Sequence, residues 1–194
     1  MTCTMGLVLQ SEGDMTGAMT HFTDALEMAT REEDRGTLAD THGHLGSLHR
    51  EQGRIALATQ HYETALRIAR ELGDRAREGL GLGNLCSLHQ AQGHVQKTLQ
   101  MWNEALAILC EVGNRRAQAI ALGNLGALQK DQGHWGAAHQ NYEKSLAASR
   151  QIGDREGEGI VLGNLGELLA DKGDLPLAKQ RLTQAIAICD ETMP

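Results

Sequence analysis

Apolar residues recur at helical spacing along the chain, in runs that glycine separates. In the stretch 76–112, Leu82 and Leu85 belong to a first run with i, i+3, i+4, i+7 spacing, and Trp102 belongs to a second run. That spacing places the apolar side chains on one face of an amphipathic helix. Gly93 stands between the two runs and is typical of a residue that ends a helix in the left-handed conformation. The stretch therefore predicts two helices joined by a turn.

The same pattern returns every 40 residues. Its clearest marker is a set of five glycines: Gly13, Gly53, Gly93, Gly133 and Gly173. A fixed period between roughly 20 and 50 residues is typical of a stacked array, in which each unit buries its apolar face against its neighbours. We place the helix pairs at about 2–31, 36–72, 76–112, 116–152 and 155–191, as one array over residues 1–194. The first helix is short and no polar helix closes the last pair, so we expect the array to be a piece of a larger protein.

The repeat columns also predict helix ends and a core. Asp74, Asn114 and Asp154 each follow a glycine and are suited to cap the helix that comes next. Cys86 stands in a column of glycines, which predicts a small buried residue, and Trp135 should lie half exposed at the start of a helix. The predicted core consists of two leucine columns and one aromatic column: Leu85, Leu88, Leu125, Leu128, Leu165, Leu168, Tyr62, Trp102 and Tyr142.

The repeat residues carry a family signature. Leu122, Leu125, Gly126, Ala138 and Tyr142 resemble the tetratricopeptide repeat, and the other repeats match the same columns. The resemblance implies an all-α, right-handed superhelical solenoid of helix-turn-helix repeats. Repeats of this family are usually shorter. The 40-residue form, with its Leu-Gly-Asn-Leu-Gly and Gly-Asp-Arg punctuation, resembles the spindle scaffold class that includes Pins, and also kinesin light chain and bacterial multi-repeat regulators.

Charge and composition narrow the classes of partner. The formal net charge of −7 argues against nucleic acid, because affinity for a phosphate backbone comes largely from clustered Lys and Arg. No apolar stretch reaches the roughly 20 residues that cross a bilayer, so we predict no membrane insertion. Four cysteines without a Cys-x-x-Cys pair favour a reducing, cytoplasmic compartment. The partner we expect is a protein or a peptide.

In the family that the chain resembles, the first helix of each pair lines a concave surface. One column there is asparagine in three repeats and histidine in another: Asn84, Asn124, Asn164 and His44. The preceding column is glycine throughout: Gly43, Gly83, Gly123 and Gly163. An amide both donates and accepts hydrogen bonds, which suits a peptide backbone, and glycine leaves room for that backbone to approach. The alternative is that glycine allows neighbouring helices to pack and asparagine bonds the next repeat.

A basic column follows the capping residues: Arg35, Arg75, Arg115 and Arg155. These guanidinium groups could form a cationic ladder for acidic peptides, since each pairs well with a carboxylate. The alternative, which we favour, is an inter-repeat salt bridge to a neighbouring Asp or Glu, or a solvated helix end. A chaperone clamp is not implied, because its lysine positions are occupied by glycine here.

The histidines and cysteines predict neither a metal site nor catalysis. His42 and His44 are two residues apart on a helix, so their rings diverge, and no set of ligands stands at metal spacing. Cys86 and His89 would need an exposed, low-pKa thiol to act as a nucleophile, yet Cys86 is predicted to be buried. We therefore predict no enzyme and no cofactor. The function we predict is a scaffold that binds a peptide or protein segment along the concave groove. The alternative is a regulatory module that controls a catalytic domain or associates with its own copies through the array ends.

Overall fold

The computed structural model describes residues 2–91 and 93–192, and within them every regular element is an α-helix. This confirms the predicted all-α class. The helices, in chain order, are α1 Thr2–Ser11, α2 Met15–Arg31, α3 Arg35–Glu51, α4 Ile55–Leu72, α5 Arg75–Ala91, α6 Val95–Glu111, α7 Arg115–Asp131, α8 Trp135–Gln151, α9 Arg155–Asp171 and α10 Leu175–Thr192. None of these helices is long and apolar enough to cross a membrane.

Polar side chains cap the first helices of the repeats. The backbone N–H of Ala117 donates to Asn114 Oδ1 at 3.1 Å, and that of Gly157 donates to Asp154 Oδ1 at 3.0 Å. Asp74 accepts from the backbone N–H of Arg77 at 3.0 Å in the same way. Each contact satisfies an N–H that has no partner inside the helix. The predicted caps at these three positions are confirmed.

Left-handed residues end the helices. Gly93 has φ +77°, and the four other glycines of its column have φ between +72° and +84°. A second glycine column ends the second helices at Gly73, Gly113 and Gly153, with φ between +67° and +70°. The first repeat departs from this column, because Glu33 adopts φ +56° there. An L side chain is strained in this region, and glycine is not.

The chain forms two compact units, residues 1–94 with α1–α5 and residues 95–194 with α6–α10. In the first unit, one apolar cluster joins α2 to α3 through Ala18, Phe22, Leu45 and Leu48, with Met15 and Leu26 packed at its edge. In the second unit, a cluster joins α8 to α9 and α10. Its buried members are Ala138, Tyr142, Leu146, Val161, Leu162, Leu165, Leu168 and Ile188. Both clusters therefore bury the face between one repeat and the next.

The predicted core residues are buried in the structure. All six leucines and the three aromatic residues named above are at most 4% exposed. Cys86 is fully buried and Trp135 is 41% exposed, as predicted. The glycine after Leu125 is required by packing, because a Cβ at Gly126 would lie 2.8 Å from the ring of Tyr142. This contact holds α7 close to α8.

Candidate functional site

A cavity of about 200 Å³ opens in the second unit between α7, α8 and α9. We call it the amide cavity. Its lining consists of Ala119, Ile120, Gly123, Asn124, Ser145, Ser149, Asp154, Gly157, Ile160, Val161 and Asn164. It thus brings together Asn124 and Asn164, which the sequence placed 40 residues apart. Asp154 is the charged residue of this lining, and its carboxylate is engaged in capping α9.

The asparagine side chains of this column have no partner in the described part of the chain. Among the residues that the structure describes, no hydrogen bond is formed by the side chain of Asn84, Asn124 or Asn164, and all three are half-buried. The arrangement therefore does not use these amides to join repeats. Their donors and acceptors remain available to a ligand.

Gly123 and Gly163, beside two of the asparagines, and Gly43, beside His44, are not required by helix packing. A Cβ at Gly43 or Gly163 would meet no atom within 4 Å, and one at Gly123 would meet Ser145 Oγ at 3.5 Å, an ordinary contact distance. Each glycine inside a helix still costs about 1 kcal/mol relative to alanine. Gly83 occupies the same position in α5. Gly123 and Gly163 therefore keep the surface beside Asn124 and Asn164 low and open.

Sequence analysis missed an aliphatic column on the same face. Ile120 and Ile160 are 56% and 59% exposed, and each lies four residues before the asparagine of its helix. Leu80, which precedes Asn84 by the same interval, is 46% exposed. One signal was available: these residues also stand 40 apart, with Asp40 as the polar exception. Helical periodicity places each of them on the face of its asparagine, and the structure shows that they are exposed there.

A smaller cavity of about 140 Å³ lies in the first unit between α3, α4 and α5. It brings together His44 and Asn84, and Leu80 and Asp40 also line it. The His44 ring stacks on Phe22 with centroids 5.3 Å apart, and burial lowers the pKa of His44. Two hydrogen bonds of 2.8 Å join the Asp40 carboxylate to Arg77. This cavity is more polar than the amide cavity.

The arginine column makes contacts within the chain. Arg75 Nη1 donates to Glu78 Oε2 at 2.6 Å, and Arg155 Nη1 donates to Glu158 Oε2 at 2.7 Å. Arg115 Nη1 donates at 3.1 Å to Oε1 of Gln118, the neutral residue that stands where Glu78 and Glu158 stand in other repeats. Arg35 is paired with Glu71 and Arg155 also with Glu191. Each of these contacts lies within one helix pair, whereas the alternative that the sequence favoured was a salt bridge between repeats.

Glu78 and Glu158 are buried glutamates at equivalent positions of two repeats, and each accepts hydrogen bonds from two arginines. Glu158 is 7% exposed and also accepts from Arg150 Nε at 2.8 Å. Burial by itself raises the pKa of Glu158, but the hydrogen bonds from Arg150 and Arg155 outweigh it and leave the pKa below its usual value. Gln118 stands 40 residues before Glu158 and donates instead to the carbonyl of Leu109 at 2.7 Å. Cys110 likewise stands 40 residues before Arg150. These contacts join the second helix of one pair to the first helix of the following pair.

Three histidines meet inside the second helix pair, which sequence analysis did not predict. His42 Nδ1 and His61 Nδ1 are 2.9 Å apart, and the His61 ring stacks on His49 with centroids 5.3 Å apart. We call these residues the histidine cluster. Burial first, and then the charges of His42 and His49, lower the pKa of His61 to about 4. Among the described residues, no group of three or more His, Cys, Asp or Glu side chains could hold a metal ion.

The repeat geometry agrees with a family comparison. The sequence profile described as tetratricopeptide repeat matches residues 1–71 and 79–151. The chain is a tetratricopeptide repeat protein. The repeat period of this tetratricopeptide repeat protein is 40 residues, which is longer than is usual for the family. In most of its repeats a glycine follows the end of each helix of the pair.

Solved structures share this fold at low sequence identity. BtubC (BKLC) from P. vanneervenii is 23% identical with a TM-score of 0.80, over 96% of this chain and 77% of that one. A Rap protein complexed with Competence and Sporulation Factor is 15% identical with a TM-score of 0.83, over 96% and 53%. A putative kinesin light chain of nearly identical repeats from Podosopora anserina is 15% identical with a TM-score of 0.71, over 99% and 95%. Among curated protein sequences, none shows significant similarity to this tetratricopeptide repeat protein.

Proposed function

We propose that this protein is a cytoplasmic, non-catalytic scaffold that binds a peptide or protein segment across the first helices of its repeats. The observation that carries the proposal is the amide cavity, where unpaired Asn124 and Asn164 side chains stand beside exposed Ile120 and Ile160. Amides can bond the backbone of a segment, and the isoleucines can cover its apolar side chains. A Rap protein of the same fold has been solved with Competence and Sporulation Factor bound, which supports a binding role for such an array.

The open glycines support the same proposal. Gly163 costs helix stability and fills no packing role inside the chain, whereas Gly126 is needed by Tyr142. A ligand backbone that lies against α9 would use the space above Gly163. His44, Asn84 and Gly83 provide a second place of the same kind in the first unit. Arg75, Arg115 and Arg155 are secondary candidates, because acidic ligands would have to compete with their present partners.

The test is a selection of phage-displayed random peptides on the whole chain, followed by affinity measurements. We expect selected peptides to lose about 10–100-fold in affinity for the double variant Asn124→Ala/Asn164→Ala, since each lost hydrogen bond is worth roughly 0.5–1.5 kcal/mol. The melting temperature of that variant should stay close to wild type, because neither amide bonds another described residue.

A matched control is Asn103→Ala, which removes an exposed asparagine of α6 outside both cavities. It should leave peptide affinity unchanged. If the selected peptides bind the double variant as tightly as wild type, the proposed site is wrong. If the double variant melts early, the asparagines have a structural role instead.

A further inference from the structure

The cavities of the two units are equivalent parts of the repeat. Nearly every residue that lines the first-unit cavity has its counterpart, two repeat lengths later, in the lining of the amide cavity. The helices around each cavity, α3–α5 and α7–α9, are preceded and followed by further helices along the chain, so neither opening arises at a chain end. The first-unit cavity can therefore serve as a template for its counterpart.

Arg77 fills part of the first-unit cavity from within the chain. Its guanidinium donates to both oxygens of Asp40 at 2.8 Å and also to Asp74, which caps α5. The counterparts of Arg77 and Asp40 in the second unit are Gly157 and Ile120. The amide cavity thus has neither this guanidinium nor the carboxylate that binds it, and its volume is about 200 Å³ against about 140 Å³. A space that the first unit fills with its own side chain is open in the second.

Two buried serines line the amide cavity where other repeats have less polar residues. Ser145 and Ser149 are each 1% exposed. In the other helix pairs the column of Ser145 is alanine, and that of Ser149 is alanine, leucine or cysteine. Ser145 Oγ donates to the carbonyl of Ala119 at 2.6 Å, but Ser149 Oγ forms no hydrogen bond with any residue that the structure describes. A buried hydroxyl without a partner is destabilising, which indicates that the partner of Ser149 is supplied by a ligand.

The charges at the amide cavity balance one another. Asp154 Oδ1 accepts from the backbone N–H of Gly157, and Asp154 Oδ2 lies 3.9 Å from Nε of Arg116. A cation that entered the cavity would be repelled by Arg116, and an anion would be repelled by Asp154. The charges therefore favour an uncharged group beside Ser149.

We propose that the amide cavity binds the carboxamide side chain of a glutamine or asparagine in the bound segment, an inference that rests on the proposed function. A carboxamide is planar, like the Arg77 guanidinium in the equivalent space, but it is uncharged and can both donate to and accept from Ser149 Oγ. Its methylene stem contacts the two isoleucines of the lining. A cavity of about 150 Å³ holds benzene, so the amide cavity has room for this side chain. An apolar side chain would leave the Ser149 hydroxyl unpaired.

The experiment uses the whole chain and phage-selected peptides whose binding requires Asn124 and Asn164. We expect these peptides to share a glutamine or asparagine at one position. Synthetic peptides with leucine at that position should bind wild type about 10-fold more weakly, because the hydroxyl then loses its partner. Ser149→Ala should weaken the parent peptide about 10-fold and leave the affinity of the leucine peptide unchanged.

The Ser149→Ala variant should fold like wild type, which circular dichroism checks, because alanine already stands at Ala29 and Ala69 of the same column. The matched control is Ser87→Ala, which removes a partly buried hydroxyl of α5 that lines neither cavity. It should leave the affinities of both peptides unchanged.

The outcomes separate this inference from the proposed function. Asparagine-dependent peptides that share no carboxamide, or that carry lysine or arginine at the shared position, would overturn the inference and leave the proposed function standing. Equal losses for the parent and leucine peptides on Ser149→Ala would do the same. Selected peptides that bind without Asn124 and Asn164 would overturn both.

Discussion

At the scale of single residues, glycine has three separate roles in this chain. At Gly73 and its column it supplies a left-handed backbone, at Gly126 it makes room for an aromatic ring, and at Gly163 it leaves open space. The sequence pattern is the same in each case, a glycine that recurs every 40 residues. Local backbone geometry and the nearest neighbouring atoms distinguish the roles, and the consequences of substitution differ accordingly.

Glu33 is the residue whose replacement should stabilise the fold. It holds φ +56° in the column where later repeats have glycine. We expect Glu33→Gly to raise the free energy of unfolding by about 1 kcal/mol, because glycine is not strained there, although its flexible unfolded state offsets part of the gain. Urea denaturation measures the change. Glu33→Ala keeps the strain and should give no such gain, and an equal gain from alanine would show that the carboxylate, and not the backbone, is responsible.

Two glycines on equivalent helices should respond to alanine in opposite directions. Gly163→Ala should stabilise the protein by about 0.5–1 kcal/mol, because the added methyl group meets open space and alanine favours the helix. Gly126→Ala should destabilise it by about 1–3 kcal/mol, because the methyl group would overlap the Tyr142 ring. Thermal denaturation measures both. Under the proposed function, Gly163→Ala should also weaken the selected peptides, and unchanged affinity would place the ligand backbone away from α9.

At the scale of helix pairs, the repeats share one backbone arrangement but differ in the polar contacts between their two helices. The second pair holds the histidine cluster at positions where the fourth pair has Leu122, Gln129 and Asn141. In the fourth pair, Asn141 Nδ2 donates to Gln129 Oε1 at 2.7 Å, so the same two helix positions accept a neutral pair. Each repeat can therefore serve as a control for another, and two predictions use this.

The histidine cluster should make folding sensitive to acid. The pKa of His61 is about 4 in the folded chain against 6.5 for a free side chain, because burial and the charges of His42 and His49 disfavour its protonated form. Between these values the unfolded chain binds the extra proton and the folded chain does not. Stability is therefore present above pH 6.5 and declines as the pH falls from 6.5 towards about 4.

Melting temperature measured across that pH range tests this prediction. The variant His42→Leu/His49→Gln/His61→Asn transfers the residues of the fourth pair into the second. It should lose much of the pH dependence between 6.5 and about 4 while it stays folded at neutral pH. An equally steep decline in the variant would assign the acid sensitivity to other groups, of which the carboxylates held by arginine are the next candidates.

The buried glutamate of the fifth pair should be energetically coupled to the arginine of the preceding helix. Glu158→Gln should cost about 1–2 kcal/mol, because it weakens two charge-assisted hydrogen bonds. Arg150→Cys/Glu158→Gln reproduces Cys110 and Gln118, which stand 40 residues earlier in the chain. It should cost less than the sum of its single changes by about 1 kcal/mol.

A double-mutant cycle in urea measures this coupling. The exposed pair Arg67 and Glu71, 2.8 Å apart on one helix, is the comparison. Its coupling should be only about 0.3–0.5 kcal/mol, as for other exposed pairs four residues apart. Strict additivity at Arg150 and Glu158 would contradict the prediction.

At the scale of the whole molecule, charge and apolar surface act in opposite directions on association. Each copy carries a formal net charge of −7, so copies repel one another, while exposed apolar residues such as Met5 of α1 and Ile186 of α10 favour association. Salt screens the repulsion and leaves the apolar contact intact. We expect the weight-average mass in sedimentation to rise with sodium chloride concentration at fixed protein concentration. A mass that falls with salt would indicate that ion pairs hold the copies together.

The sequence by itself determined the period, the class of fold, the helix ends and the core. Leu125, Gly93 and Asn114 could be assigned without coordinates, because spacing along a helix, left-handed turns and caps are local properties that a repeat displays several times. What only the tertiary structure decided depends on neighbours from other helices. Ile120 is a large apolar residue and is nevertheless 56% exposed, and His42 meets His61 rather than its nearer neighbour His44. The free amides of Asn124 and Asn164 also required the structure, because a side chain's hydrogen-bond partners are set by packing across repeats, which periodicity along one helix does not encode.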